Sequence, residues 1–138
     1  MKKRGTVATE HAEQATVIAW WKLACKKYAL PEFVLYSVPN GAFLAGGPQQ
    51  RAIQMNNLKR AGLRVGIPDL NLDVPSLNVI GITYHGLRIE MKRKLSGAVS
   101  LEQLTVIRHF QSSGYRVAIA FGFDQARAII EEYLVGKI

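Results

Sequence analysis

The passage from residue 86 to residue 122 constrains the fold more than any other part of the chain. "GLRIEMKR" (86–93) alternates apolar and charged side chains and predicts a strand. A helical stretch follows from about Leu101 to Ser113, closed by Gly114, and then "YRVAIAFG" (115–122), a nearly continuous apolar run. Strand, helix and strand in that order form a crossover unit, which makes the two strands parallel neighbours in one sheet. Parallel pairs carry helices on their faces, so an α/β layered domain is expected. The apolar run at 115–122 is read as a strand buried on both faces.

The remaining elements fit around that unit. A helix is expected from Thr9 as N-cap, with Val17, Ile18, Trp21, Ala24, Cys25 and Tyr28 on its apolar face and Pro31 ending it. "FVLYSV" (33–38) predicts a strand, and "PNGAFLAGGP" a glycine-rich loop. A second helix is expected over 49–62, with Pro48 in its first turn and Gly62 at its end. "DLNLDV" (69–74) predicts a strand, "NVIGIT" a short one, and 124–134 a last helix. The order α-β-α-β-β-α-β-α describes a small mixed sheet flanked by helices. Residues 1–8 read as a flexible basic arm and 9–138 as a single domain.

Eighteen Lys and Arg against ten Asp and Glu give a net charge of +8. A surplus of that size favours a polyanionic partner, because each phosphate neutralised releases condensed counterions. An anionic membrane fits less well, since no long basic amphipathic helix with a broad apolar face is present. The lone Cys25 forms no disulfide within the chain, and the basic start is not followed by the apolar stretch of a secretory signal. A reduced, cytoplasmic protein is the expectation.

Within this basic chain two carboxylates stand out. Strand alternation puts Leu87, Ile89 and Met91 on one face and Arg88, Glu90 and Lys92 on the other. Asp69 opens the preceding core strand, so it converges with Glu90 if the two strands are neighbours. Two close carboxylates repel, so either one protonates or a cation sits between them. Oxygen ligands select a hard ion such as Mg²⁺ or Mn²⁺, which polarises a phosphate and acidifies a bound water. The plainer reading is a strand-ending Asp69 and a Glu90–Lys92 ion pair on an exposed edge, worth little.

The motifs together are more specific than that spacing alone. "EHAEQ" (10–14), "PNGAF", "KRAGLRVGIPDL" and "IEMKRKLSGAVSLEQ", followed by "GYRVAIAFGFDQA", resemble the VRR-Nuc (virus-type replication-repair nuclease) domain of the PD-(D/E)xK nucleases over nearly the whole chain. The segment "SLNVIGIT" is longer than that pattern leads one to expect. The resemblance implies a restriction-endonuclease-like core and a Mg²⁺- or Mn²⁺-dependent DNA endonuclease. Asp69 and Glu90 would hold the metal with the backbone carbonyl of Met91, Lys92 would be the catalytic lysine, and Glu10 would reach the metal directly or through water. Gln103 would line the site; Gln14 shares a helix face with Glu10.

Each residue has a simpler reading as well. Glu10 suits the first turn of any helix, and Gln103 three residues after Ser100 has capping-box spacing. Asp73 is expected to be solvated or turn-facing. His11, His85 and His109 are scattered and make no zinc site with one cysteine, although His11 lies beside Glu10. Gln14, Asn40, Lys59, Arg60, Arg64, Arg93 and Lys94 are the candidate DNA-binding residues, the basic ones forming a phosphate-binding rim. Trp20, Trp21, Phe43, Leu44 and the segment 77–83 are candidates for a dimer interface, with core packing the alternative for the tryptophans. The full expectation is a phage- or prophage-encoded homodimer acting in the host cytoplasm on branched DNA such as Holliday junctions. A non-catalytic nucleic-acid-binding protein with the same fold is the alternative, and its independence of metal would distinguish it.

Overall fold

The computed structural model describes residues 9–39, 44–77, 81, 83–95 and 97–135. The basic arm (1–8), Asn40, Phe43, and residues 78–80 and 82 lie outside these. Helix α1 (Glu10–Ala24) starts as its sequence predicts: the Thr9 side chain accepts from the Ala12 N–H. Such a cap contributes roughly 1 kcal/mol to the helix. The chain then makes two short 3₁₀ turns and enters strand β1 (Leu35–Ser37). Strand β1 is shorter than the sequence suggests, because Glu32–Val34 form the second of those turns directly after Pro31. The Trp21 indole N–H fixes that turn by donating to the Glu32 carbonyl at 2.9 Å.

Helix α2 (Pro48–Arg60) has Pro48 in its first turn and Gly62 just past its end. Strand β2 (Leu70–Leu72) follows. A two-stranded hairpin, β3 (Ser76–Leu77) and β4 (Thr83–Tyr84), occupies the ends of the long segment between the two central strands. Strand β5 (Leu87–Lys92), helix α3 (Leu101–Ser112), strand β6 (Arg116–Phe121) and helix α4 (Phe123–Leu134) complete the order. Gly114 ends α3 at φ +91°, and a β-carbon there would also collide with the His85 ring, so both conformation and space call for glycine.

The sheet runs β1-β2-β5-β6, with β1, β2 and β5 antiparallel in turn and β5 parallel to β6. The crossover pairing therefore stands as expected. Strand β6 does not have the expected burial on both faces: it lies at the sheet edge, and only Ala120 along it is fully buried. The central strand is β5, and its burial is nearly complete.

Alternation along the strands divides the sheet into two chemically different faces. Leu35, Leu70, Leu72, Leu87, Ile89 and Met91 pack with Val17, Trp21 and Cys25 of the α1 region and with Ala126, Ile130 and Tyr133 of α4. Each such apolar side chain withdrawn from water stabilises the fold by about 1.5–3 kcal/mol, which makes this face the core. Trp21 is among the most deeply buried residues, so it belongs to the core and offers nothing to a dimer interface. Trp20 is half-buried against Phe123. Among the described residues, no helix is long and apolar enough to cross a membrane.

Candidate active site

The second face of the sheet carries the charged residues. Leu70 pairs with Ile89 across β2 and β5, so one step beyond the ladder Asp69 stands opposite Glu90. Lys92 and Gly86 carbonyls accept from the β6 side, at Gly122 and Arg116, so even-numbered β5 residues bond toward β6 and odd-numbered ones toward β2. Asp69 and Glu90 thus form a non-hydrogen-bonded antiparallel pair, the arrangement that brings two side chains closest. The expected convergence of the two carboxylates follows directly from this register.

Asp69 does more than face Glu90. Its Oδ2 accepts from the Met91 backbone N–H at 2.8 Å, replacing the ladder bond that β2 is too short to supply. A strand residue directs its N–H and C=O to the same side, so the Met91 carbonyl points toward Asp69 as well. Both carboxylates and that carbonyl consequently share one corner of the sheet, at the carboxyl end of β5.

Glu90 and Lys92 are buried, with 3% and 6% of their surface exposed. This removes the reading of an exposed-edge ion pair. Burial, with the Asp69 carboxylate beside it, pushes the Glu90 carboxyl from its ordinary 4.5 up to about 8, against the opposing pull of Lys92. No N–H or hydroxyl of another residue reaches the buried Glu90 Oε2, and the proton that Glu90 retains bonds it to the Asp69 carboxylate.

Gln103 ties the other groups together. Its Nε2 donates to Glu90 Oε1 at 2.7 Å, and its Oε1 accepts from Lys92 Nζ at 2.9 Å. The Lys92 ammonium lies 3.6 Å from Glu90 Oε1. The same Gln103 Oε1 accepts from the Ser100 N–H at 3.0 Å, while Ser100 Oγ accepts from the Gln103 N–H at 3.1 Å. The capping box and the site contact therefore coexist in one side chain: the start of α3 orients the amide that orients Lys92.

Glu10 is not brought to this cluster. It is exposed in the first turn of α1, and among the described residues no three His, Cys, Asp or Glu side chains gather as a metal site. Its turn does lie at the correct end of the sheet. Glu13, one turn on, accepts from the Phe123 N–H at 2.7 Å where β6 gives way to α4. Sequence reasoning missed Glu13, and only an acid in a first helical turn marks it there. Gln14 is half-buried and lines an open groove on α1 with His11, Ile18 and Leu23.

Lys59, Arg60 and Arg64 are exposed at the end of α2 and in the loop leading to Asp69; Arg93 and Lys94 are exposed directly after Lys92. Among the described residues none of these five is in an ion pair, whereas Arg88, Arg116 and Arg127 each have an acidic partner. Asp73 is that partner for Arg88 at 2.9 Å and also accepts from Tyr36 at 2.5 Å, so it is engaged and not merely solvated. The Arg88 guanidinium stacks over Tyr115 at 4.5 Å, a role the sequence did not announce.

No family model matches the chain, and no curated protein matches it. Among solved structures, a VRR_NUC domain protein superimposes with a TM-score of 0.72 at 24% identity, covering 96% of this chain and 93% of its own. The small mixed sheet flanked by helices expected from the sequence is thus the observed architecture, and the chain has the fold of a VRR-Nuc domain protein.

Proposed function

We propose that the chain is a VRR-Nuc nuclease, a divalent-metal-dependent endodeoxyribonuclease. The observation that carries this reading is the pairing of half-buried Asp69 with buried Glu90 across β2 and β5, with Lys92 and Gln103 held against Glu90. The donor set suits a hard cation. Burial and the adjoining Asp69 carboxylate keep Glu90 from ionising readily, a cation between the two carboxylates would relieve that repulsion, and the Met91 carbonyl faces the same corner. Asp69, Glu90 and the Met91 carbonyl would hold Mg²⁺ or Mn²⁺, with Glu10 contributing from α1 through water. When bound, such an ion supplies Lewis-acid polarisation of a phosphate and a more acidic water.

The chain's own residues do the remaining work. Lys92 places a fixed positive charge where negative charge develops on the phosphate during attack. Gln103 holds that ammonium and Glu90 in register through one amide. Lys59, Arg60, Arg64, Arg93 and Lys94, with Gln14 and Asn40, would bind the DNA backbone, fixing its orientation without reading its sequence. A two-fold homodimer would present two such sites, suited to a branched DNA with its own two-fold axis, and selectivity for four-way junctions belongs to this proposal.

Calorimetric titration of Mn²⁺ into the purified protein, with Asp69→Asn and Glu90→Gln as comparisons, tests the reading. Saturable binding in the wild type and its loss in both variants is expected. Equal binding in all three proteins contradicts it, and metal-independent DNA binding without cleavage identifies a non-catalytic binder.

A further inference from the structure

Gly97 lies outside every residue assigned so far, yet its backbone packs so closely on Lys92 that no β-carbon fits between them. A β-carbon on residue 97 would overlap Lys92 Cβ and would stand 3.0 Å from its Cγ and 3.1 Å from its Cδ. Carbon atoms pack best at about 3.5–4.0 Å, so all three separations are repulsive. The atoms met are the root of the lysine side chain, not its flexible end. They move only if χ1 changes or the backbone retreats.

Two observations exclude a merely conformational reason for this glycine. Gly97 does not have the positive φ seen at Gly66, Gly114 and Gly122, so its backbone is open to any L-residue. Lys92 in turn has little room to yield. It is 6% exposed, sits on the central strand, and its Nζ is engaged by Gln103 Oε1 at 2.9 Å. The chain leaves β5 at Lys92, returns over it at Gly97, and three residues later Ser100 caps α3 and accepts from the Gln103 N–H.

We propose that Gly97 is a positioning residue for Lys92: its bare backbone, pressed on the lysine stem, fixes the χ1 that delivers Nζ to Glu90 and Gln103. This rests on the nuclease reading for its catalytic consequence but not for its geometry. A side chain at 97 turns the stem away and moves Nζ by an ångström or more. A displacement of that size costs on the order of 10²-fold in rate for a group that acts by position.

The test is Gly97→Ala in two backgrounds with two readouts. Against wild type, Gly97→Ala is expected to lower kcat on a labelled DNA substrate about 10²-fold, with KM and DNA affinity within about twofold. In metal-free protein, Gly97→Ala is expected to lower Tm by roughly 3–10 °C, as overpacking does. In the Lys92→Gly background, which removes the stem, the same substitution is expected to leave Tm nearly unchanged. Should Gly97→Ala fail to fold alone, the Gly97→Ala, Lys92→Gly double variant is expected to restore folding. An unchanged kcat in Gly97→Ala, or an equal Tm loss in both backgrounds, overturns the proposal. If the wild type cleaves no DNA, the nuclease reading fails, and the Tm comparison still decides the positioning claim.

Discussion

Asp69 and Glu90 face each other one register step beyond the last paired residues of β2 and β5, and Asp69 also accepts the Met91 N–H at 2.8 Å. The strand that carries Asp69 stops short, and its carboxylate continues the ladder. One side chain thereby ends a strand, holds the central strand in place and sets a second carboxylate against Glu90. Polar groups under this much constraint are costly to keep in a core and are typical of functional sites.

Glu90 gives the metal-free protein a defined pH dependence. Its carboxyl is raised from 4.5 to about 8, so between these values the folded state retains a proton that the unfolded state has lost. The stabilisation is complete below about pH 4.5 and disappears as pH rises through about 8. Thermal melts in EDTA are expected to show Tm falling from pH 5 to pH 9. Glu90→Gln, which cannot titrate, is expected to flatten that part of the profile. Parallel profiles for the two proteins would contradict the shift.

In the proposed nuclease, Lys92 serves the chemistry and the rim residues serve binding. Lys92→Ala is expected to reduce turnover by roughly 10² or more while leaving DNA affinity nearly intact, the loss typical of removing an electrostatic stabiliser. Lys59→Ala and Arg60→Ala are expected to weaken binding and reduce the slope of log K against log salt by about one each. Single-turnover kinetics combined with binding at several salt concentrations separates the two. A change in affinity alone for Lys92→Ala moves that residue to the rim.

Gln103→Ala removes one amide that serves three partners: Glu90, Lys92 and the Ser100 N–H. Leaving buried polar groups without partners costs about 1–3 kcal/mol. Urea denaturation is expected to show a loss of that order, and kcat is expected to fall in the same variant. Lost stability with full kcat would confine Gln103 to helix capping.

Assembly is checked separately. Light scattering at micromolar concentration is expected to give the mass of a dimer, and four-way junctions are expected to be cut faster than linear duplex. A monomer that cuts linear DNA equally well would remove the dimer and junction proposals and leave the proposed metal site standing.

The sequence exposed the parts of this structure that depend on local pattern. Alternation along 87–92 separated Leu87, Ile89 and Met91 from Glu90 and Lys92, and the crossover fixed β6 beside β5. The depth of Glu90 was not legible, since it depends on β5 lying between β2 and β6, a property of strand order that no single strand carries. The apolar run of β6 was misread for the same reason, because an edge strand can be as hydrophobic as a central one when helices cover it. Gln103 had two readings from spacing, and the folded chain satisfies both at once. Gly97 and Glu13 left almost no mark, because each acts through a contact with a residue on another element.

Cleavage of a labelled four-way junction by the purified protein, with Mg²⁺ or Mn²⁺ and then with excess EDTA, tests the proposed Asp69–Glu90 metal site most directly when Asp69→Asn and Glu90→Gln are run beside the wild type. Cleavage by the wild type that disappears in EDTA and in both variants, with DNA binding retained, is the predicted result. Cleavage that persists in EDTA, or full activity in either variant, contradicts it.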